Sequence, residues 1–251
     1  MNNTLLLVIF AICSYFLGNV NWALIVSKLK KSDIRKLGSG NPGTLNMSRN
    51  FGLKLGLLTF GLDIMKGFLP AMIAYLVFKG ETFNGSTFYI SDFAMILSGF
   101  CAVLGHIYPV FLKFKGGKGI ASTIGVMAAC SFFYGWAWAV VFIMALIVAG
   151  LFIYFTEFGA MGSFLAISPP AVGCCIRLYL DYFNNFNNKV TSTFNLISCM
   201  IIFAICLLTW VAHRKNIERM IAGEEHPTSI KEMVVKHKAN KLKKQQNLEN
   251  K

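Results

Sequence analysis

Charged side chains are scarce in this sequence of 251 residues: they make up 14%, against about 25% in ordinary soluble domains. Hydrophobic residues account for 55%, and the mean hydropathy is +0.58. This balance excludes an ordinary soluble enzyme and predicts an all-α, polytopic membrane helix bundle. The length fits one compact bundle and leaves little chain for a separate soluble domain.

Metal-binding and nucleotide-hydrolysing motifs are also missing. The seven cysteines lie inside apolar segments without Cys-x-x-Cys or Cys/His spacing, which indicates packing residues and not metal ligands. No Gly-x-Ser-x-Gly nucleophile motif occurs. The glycine-rich turn at 116–119 is not a Walker A loop, because Gly119 stands where that loop needs Ser or Thr. We therefore expect no metal, no cofactor and no ATP hydrolysis.

Acidic residues are few: 11 Asp and Glu stand against 24 Lys and Arg, giving a net charge of +13. All but four of the basic residues fall in three segments, 26–54, 113–118 and 213–251. Basic loops stay on the cytoplasmic side of a membrane, so all three segments are expected there. They flank apolar stretches and form no soluble basic face, which argues against a nucleic-acid partner.

Seven apolar stretches predict seven transmembrane helices. The first is expected to be a retained span and not a cleaved signal peptide, because no positively charged segment precedes it. The odd count places the N-terminus outside and the C-terminus in the cytoplasm. Tyr134-Gly135 is a weak break; one continuous span there would give six helices and place the third basic segment outside. The stretches are 4–26, 53–78, 92–112, 119–135, 137–156, 160–180 and 193–212.

The chain is expected to divide near residue 226. Residues 1–226 would form the transmembrane domain, and residues 227–251 a basic cytoplasmic tail rich in Lys, Asn and Gln. Such a tail is attracted to anionic lipids, so membrane lipids are expected partners.

A glycine-rich turn with three lysines lies in the segment 105–119, between two apolar stretches. Glycines allow backbone N–H groups to point into one concavity, and lysines add positive charge, so the segment predicts a phosphate site at the membrane surface. Lys118, between glycines, is expected to reach the ligand. Lys113 and Lys115 are equally well explained as interfacial anchors. His106 is expected to be a hydrogen-bonded structural residue.

Two further loops have a similar character. The segment 38–52 offers Ser, Asn and Gly donors followed by Arg49, whose planar guanidinium suits two phosphate oxygens. A solvated turn with a helix cap is the alternative for this segment. The segment 213–225 follows the last span directly, and His213, Asn216 and Glu224 are expected to line one side of a helix. A helix C-terminal cap is the alternative for His213.

Asp63 and Lys66 are ionisable residues inside the second apolar stretch, three positions apart and therefore on one helix face. Ionisable groups in a span are costly and usually face the protein interior. The pair is expected to lock helix packing; the alternative is that Lys66 lends positive potential to the phosphate site.

The three loops together resemble the PlsY family of membrane glycerol-3-phosphate acyltransferases, which use acyl phosphate as the donor. The order of the loops and their cytoplasmic placement agree with that family, and the resemblance extends to about residue 226. The matching segments are Ser39-Gly40-Asn41, Gly43, Asn46 and Arg49, then Gly105-His106, Tyr108-Pro109 and Phe114 to Ala121, and finally His213-Arg214, Asn216-Ile217, Arg219, Gly223 and Glu225.

The resemblance implies that acyl phosphate and sn-glycerol 3-phosphate give 1-acyl-sn-glycerol 3-phosphate (lysophosphatidic acid) and phosphate, the first acylation of phospholipid synthesis. It also implies a bacterial cell membrane, an active site on the cytoplasmic side and a functional link to an enzyme that forms acyl phosphate. Ser39, Arg49, Lys118, His213 and Asn216 are expected to be catalytic. The expected substrate-binding residues are Gly40, Asn41, Gly43, Asn46, Gly116, Gly117, Gly119, Ser163 and Glu225, and the expected supporting residues are Asp63, Lys66 and His106.

Both substrates carry phosphate, so Arg49, Lys118 and the N–H groups of residues 116–119 are expected to offset their repulsion. Two roles for His213 stay open: it orients glycerol phosphate while a donor phosphate oxygen takes the hydroxyl proton, or it is the general base. Ser39 and Ser163 are expected to contact phosphate without forming an acyl-enzyme.

The sequence departs from the family pattern at two places. Leu45 stands where the family usually carries Thr. In the turn 156–163, Ser163 matches the last Ser of the family pattern, but Ala160 replaces the first Ser and Glu157 replaces a basic residue.

Two other classes fit parts of the sequence. A transporter or channel for an organic phosphate would suit basic loops and an intramembrane Asp/Lys pair, but transporters bind substrate near the midplane between repeats, and no repeat is visible. A purely structural or lipid-binding protein would not need the dense clusters of hydrogen-bond donors.

Overall fold

A computed structural model describes residues 2–82, 89–184, 189–225 and 227–228, with Val235 and Ala239 beyond them. The described residues form an all-α bundle, as the sequence predicts, with short 3₁₀ turns at Ile34–Lys36 and Val110–Leu112. The helices are α1 (Asn3–Asn19), α2 (Trp22–Leu29), α3 (Thr44–Phe51), α4 (Leu53–Val77), α5 (Ile90–Ile107), α6 (Ile120–Tyr134), α7 (Trp136–Thr156), α8 (Gly159–Asn184), α9 (Lys189–Ala212) and α10 (Arg214–Ile221).

Six helical segments within the described residues are long and apolar enough to cross a membrane. They are Asn3–Leu29, Leu53–Val77, Ile90–Leu112, Trp136–Thr156, Gly159–Asn184 and Ser192–Ala212. The remaining apolar helix, α6, has 15 residues and spans about 22 Å at 1.5 Å per residue, against a hydrocarbon core of about 30 Å. The count of seven spans and the orientation of the termini stay predictions.

The weak break at Tyr134-Gly135 is a real helix boundary. Gly135 has φ of +117°, which favours glycine, and it ends α6 and starts α7. One continuous span over the fourth and fifth apolar stretches is therefore excluded.

Helix α6 lies in the middle of the bundle, and every residue from Ser122 to Ser131 is buried. It packs closely against α4 through glycines. A Cβ on Gly67 would lie 2.0 Å from Ser122 O, and one on Gly125 would lie 2.1 Å from Ile64 O. Small residues let membrane helices approach at backbone distance. This packing fixes the N-terminal end of α6, which carries the lysine-glycine turn.

A buried ion pair joins α4 to the junction of α1 and α2. Lys66 Nζ lies 2.9 Å from Asp63 Oδ1 and donates to Val20 O at 2.9 Å. His106 Nδ1 on α5 is 3.8 Å from the same Asp63 oxygen. The pair thus ties three parts of the bundle together, as expected for a lock on helix packing.

The chain turns back after α10 at Gly223, which has φ of +71°. We call residues 224–225 and 227–228 the return segment. Thr228 N donates to Glu157 O in the α7–α8 turn at 2.8 Å, and Arg49 Nη2 donates to Pro227 O at 3.3 Å. Pro227 and Thr228 therefore contact the bundle, and the division of the chain near residue 226 stays a prediction. The rest of the predicted tail lies outside the described residues, apart from Val235 and Ala239.

Candidate active site

The three predicted loops converge on one cavity of about 840 Å³. Its polar part is lined by the loop before α3 and by α3 itself, by the first turns of α6 and α8, and by α10. The rest of its wall is mostly apolar and comes from α4, α6, α7 and α8; we call this part the apolar branch. The polar part includes Ser39, Asn41, Gly43, Asn46, Arg49, Lys118, Gly119, Ser163, His213, Asn216, Arg219, Glu225 and Thr228.

The apolar branch is bounded mainly by α7 and α8, with contributions from α4 and α6. Hydrophobic and small side chains form its wall, so it suits a hydrocarbon chain. Its lining residues are Phe60, Ile64, Ile124, Leu146, Ala149, Gly150, Ile153, Gly162 and Ala166.

Asn46 organises the first loop from inside. Its side chain is buried, with 2% exposed, and Nδ2 donates to Leu37 O at 2.9 Å and Ile34 O at 3.2 Å. Its Oδ1 accepts from Ser39 N at 3.3 Å and from Asn50 Nδ2 at 3.0 Å. These bonds hold Ser39 at the cavity wall. Asn46 therefore shapes the loop while also lining the cavity.

The glycines of the lysine turn allow this turn to pack closely against the end of α5. Gly116 N donates to Ile107 O and Gly117 N donates to His106 O, both at 3.1 Å. A Cβ on Gly116 would lie 2.0 Å from His106 O, and one on Gly117 would lie 2.3 Å from His106 Nε2. The prediction that these two N–H groups bind phosphate is therefore wrong, because carbonyl oxygens at the end of α5 already accept them.

The lysine turn places Lys118 at the cavity wall, where its side chain is the first member of a hydrogen-bond network. Lys118 Nζ donates to Asn216 Oδ1. Asn216 Nδ2 donates to Glu225 Oε1 at 2.8 Å, and Arg219 Nε donates to Glu225 Oε2 at 3.1 Å. The network joins the second loop to the third and fixes the amide of Asn216 in one orientation.

Burial, together with the charges of Arg219 and Arg49, lowers the pKa of Lys118 to about 8, although Glu225 opposes the shift. The ammonium group of Lys118 therefore loses its proton at a lower pH than that of an ordinary lysine. A bound phosphate would restore the preference for the charged form, since an opposite charge at close range favours ionisation.

His213 lies 3% exposed at the start of α10, and its Nδ1 is 2.8 Å from Thr209 O. A carbonyl oxygen can only accept, so Nδ1 carries the proton and Nε2 of the neutral ring keeps its lone pair. Burial is the main cause that lowers the pKa of His213 to about 4; the charge of Lys118 contributes, and the bond to Thr209 O and the charge of Glu225 oppose the shift. The imidazole is therefore neutral near pH 7.

Three helices begin at the cavity wall. α3 follows Gly43 and α6 follows Gly119, neither with a side-chain cap, and α8 begins at Gly159. The first N–H groups of a helix lack intrahelical partners and carry partial positive charge, which favours anions. The polar part thus combines helix N-termini with Arg49, Lys118 and Arg219 around one space suited to phosphate groups.

Residues 8–223 match the model of the family described as glycerol-3-phosphate acyltransferase. The chain belongs to this family. A glycerol-3-phosphate acyltransferase of Mycoplasmopsis pulmonis is 35% identical over 217 residues, covering 86% of this chain and 90% of the relative. One of Aquifex aeolicus is 34% identical over 223 residues, covering 88% and 97%.

Solved structures agree. The integral membrane glycerol 3-phosphate acyltransferase PlsY (YgiH) in its glycerol 3-phosphate form superposes with a TM-score of 0.68 at 30% identity, covering 91% of this chain and 98% of that one. Its lysophosphatidic acid form gives a TM-score of 0.66 at the same identity and coverage. The resemblance to PlsY seen in the sequence is confirmed.

The match to the acyltransferase family model ends at residue 223, so the return segment lies beyond the matched range. Glu225 lines the cavity, but its carboxylate oxygens accept from Asn216 and Arg219, so it holds those side chains in place. Glu224 was expected on the same side of a helix as His213 and Asn216. That expectation is wrong, because α10 ends at Ile221 and Glu224 is not among the residues that line the cavity.

Four predicted residues do not line the acyltransferase cavity: Gly40, Lys66, Gly116 and Gly117. Gly40 has φ of +69° and forms the turn after Ser39. Lys66 contacts Asp63 and Val20 O, and its side chain does not line the cavity. This placement disfavours the alternative in which Lys66 lends positive potential to the phosphate site. Asp63 and His106 do line the cavity.

The two serines have different surroundings. Ser39 is exposed at the cavity wall, and its Oγ accepts from Asn41 N at 3.5 Å. Ser163 Oγ donates to Gly159 O at 2.8 Å, so its proton is held by its own helix. The Ser39 hydroxyl keeps its proton available for a ligand, whereas Ser163 would have to give up its bond to Gly159 O to donate to a phosphate oxygen.

Sequence reasoning missed Thr228, which lies in the part of the chain assigned to the tail. It is 5% exposed, lines the cavity, and its Oγ1 lies 2.6 Å from the position a Cβ of Gly159 would occupy. It also missed the helix starts, although the glycine directly before the apolar run that begins at Ile120 was a usable signal. Among the described residues, no group of three His, Cys, Asp or Glu side chains is placed to hold a metal.

Proposed function

We propose that this protein transfers an acyl group from acyl phosphate to sn-glycerol 3-phosphate, giving 1-acyl-sn-glycerol 3-phosphate and inorganic phosphate. The observation that carries the proposal is a single cavity that combines a cationic, donor-rich part with the apolar branch. Membership of the glycerol-3-phosphate acyltransferase family supports the acceptor and the class of reaction. The acyl-phosphate donor is the more specific part of the proposal.

The polar part has room and charge for two phosphate groups. Arg49 and Lys118 approach it from separate loops, and Arg219 lies beside Lys118 on α10. Two phosphates in one site repel each other, and fixed cations offset that repulsion. We assign Arg49 and Lys118 to the phosphates, with Ser39, Asn41 and the start of α6 supplying further donors.

The apolar branch would hold the acyl chain of the donor. Since it joins the polar part at the first turn of α8, a chain lying between α7 and α8 would bring its acyl carbonyl beside the phosphate-binding residues. Holding both reactants in this geometry removes much of the entropic barrier to the reaction.

In the proposed step, the hydroxyl oxygen of glycerol 3-phosphate attacks the acyl carbonyl carbon, and the bond from that carbon to the phosphate oxygen breaks. The hydroxyl proton moves to an oxygen of the departing phosphate, so no protein base is required. His213 Nε2 and the amide of Asn216 orient glycerol 3-phosphate. A pKa of about 4 makes His213 a weak base, which supports this role over general-base catalysis.

The variant His213→Ala separates the two roles. If His213 orients the acceptor, KM for glycerol 3-phosphate rises and substantial kcat remains. A fall of several orders in kcat at unchanged KM would instead identify His213 as the base. Trapping an acyl group on Ser39 or Ser163 would contradict the direct transfer.

The donor is tested with purified protein in detergent or bilayers, supplied with palmitoyl phosphate or palmitoyl-CoA and radiolabelled glycerol 3-phosphate. Lysophosphatidic acid should form only with palmitoyl phosphate and be lost in Lys118→Ala. Product from palmitoyl-CoA alone would keep the acyltransferase and reject the donor. No product together with uptake of glycerol phosphate into vesicles would favour a transporter.

We also propose that the cavity faces the cytoplasm of a bacterial cell, since basic loops form its polar end. Acyl phosphate would then reach it from an enzyme that forms this activated lipid in or at the same membrane. Single cysteines placed at exposed Lys115 and at Glu81 on a cysteine-free background test the orientation. A membrane-impermeant thiol reagent applied to intact cells should label position 81 and spare position 115.

A further inference from the structure

We propose that Thr228 is a substrate-binding residue whose hydroxyl binds the phosphate of the acyl donor, and that the return segment thereby completes the active site. The inference rests on the proposed function and concerns residues beyond the family match at 8–223. It assigns a role to a part of the chain that sequence alone places in a tail.

The return segment is held at three points. Glu225 accepts from Asn216 and Arg219, Pro227 O accepts from Arg49 Nη2, and Thr228 N donates to Glu157 O at 2.8 Å. Two of these contacts involve the cationic side chains Arg49 and Arg219, both of which line the cavity. The segment is thus built against the phosphate-binding end, and its position depends on the residues that bind there.

Thr228 is 5% exposed and lines the cavity. Its Oγ1 occupies the space above Gly159, where a Cβ would be only 2.6 Å away. Glycine at 159 therefore makes room for this hydroxyl at the first turn of α8. A threonine hydroxyl donates one hydrogen bond, which a phosphate oxygen accepts readily.

The location selects the donor over the acceptor. Thr228 sits on the α7–α8 turn, and α7 and α8 form the wall of the apolar branch through Ile153 and Gly162. A donor whose chain fills that branch must place its phosphate near the first turn of α8. Glycerol 3-phosphate is assigned instead to His213 and Asn216 at the start of α10.

The test compares Thr228→Val, which keeps the shape and the backbone N–H but removes the hydroxyl, with Thr228→Ser, which keeps the hydroxyl. We expect Thr228→Val to raise KM for palmitoyl phosphate on the order of tenfold, as the loss of a hydrogen bond to a charged group does. KM for glycerol 3-phosphate should stay within about twofold of wild type, and Thr228→Ser should restore the donor KM. A purely structural role would move both KM values together with the unfolding temperature.

The outcomes separate this inference from the proposed function. Wild-type protein that makes no product from palmitoyl phosphate rejects both. Active wild-type protein with an unchanged donor KM in Thr228→Val, or with a rise in the acceptor KM alone, rejects only the role of Thr228. If Thr228→Val does not fold, the donor KM of Thr228→Ala against Thr228→Ser decides by the same criterion.

Discussion

Lys118 and Asn216 are 98 residues apart in sequence, and the lysine Nζ donates a hydrogen bond to the amide oxygen of the asparagine. The contact joins the turn before α6 to the helix that follows α9. Because the other end of the Asn216 amide is bound by Glu225, the lysine is held between two loops at the cavity wall. This pairing brings the predicted phosphate lysine and the predicted acceptor-binding residue into one site.

Replacing Lys118 by Met should lower kcat/KM by at least about a hundredfold, since removing one preorganised charge-stabilising group typically costs that much. Lys115→Met is the matched control, because Lys115 is an exposed lysine of the same turn and does not line the cavity. Steady-state kinetics with palmitoyl phosphate measures both. Equal losses in the two variants would indicate a general effect of loop charge.

The activity should fall as the pH rises above about 8, because Lys118 has a pKa lowered to about 8 and is charged only below that value. The measurement is kcat/KM between pH 6 and 10. Lys118→Arg, whose guanidinium stays charged throughout, should have lower activity but should lack the alkaline loss of the wild type. An identical alkaline limb in both proteins would place the ionisation elsewhere.

Gly150→Phe should shift the donor preference to shorter chains. Gly150 lines the apolar branch, and an added Cβ would meet no heavy atom within 4 Å, so the helix tolerates a side chain there. The phenyl ring would then narrow the branch. We expect kcat/KM for palmitoyl phosphate to fall relative to octanoyl phosphate. Ile147→Phe, on the same helix but outside the cavity, should leave that ratio unchanged.

Lys66→Met should destabilise the bundle by about 3–5 kcal/mol, because it leaves the Asp63 carboxylate buried without its partner. The double variant Asp63→Asn with Lys66→Met removes both charges and should regain most of the loss. Thermal unfolding in detergent measures the difference. A double variant as unstable as the single one would show that the charges themselves are needed.

Gly125→Ala should lower the unfolding temperature, since its Cβ would lie 2.1 Å from Ile64 O and would force α4 and α6 apart. Overpacking of this kind costs about 1–3 kcal/mol. Gly61→Ala on α4 meets nothing within 4 Å and should leave stability unchanged or slightly raised. Similar effects at the two positions would argue against a close α4–α6 contact.

The sequence alone determined the class of fold and the three segments that form the site. Long apolar stretches must be helical in a membrane, because backbone groups in lipid have to find partners within the segment. Glycine and lysine at 116–119, and Arg49 after a donor-rich loop, indicated phosphate for reasons of charge and hydrogen bonding. These features depend on residue type and local order, which a sequence contains in full.

The tertiary structure decided how these parts are used. Gly116 and Gly117 were predicted to bind phosphate, but their N–H groups are taken by carbonyls of α5, a partner that only the fold brings near. Thr228 had no local signal, because its place at the first turn of α8 depends on a chain reversal after α10. Which donors remain free for a ligand is decided by contacts between residues distant in sequence, and no local pattern records them.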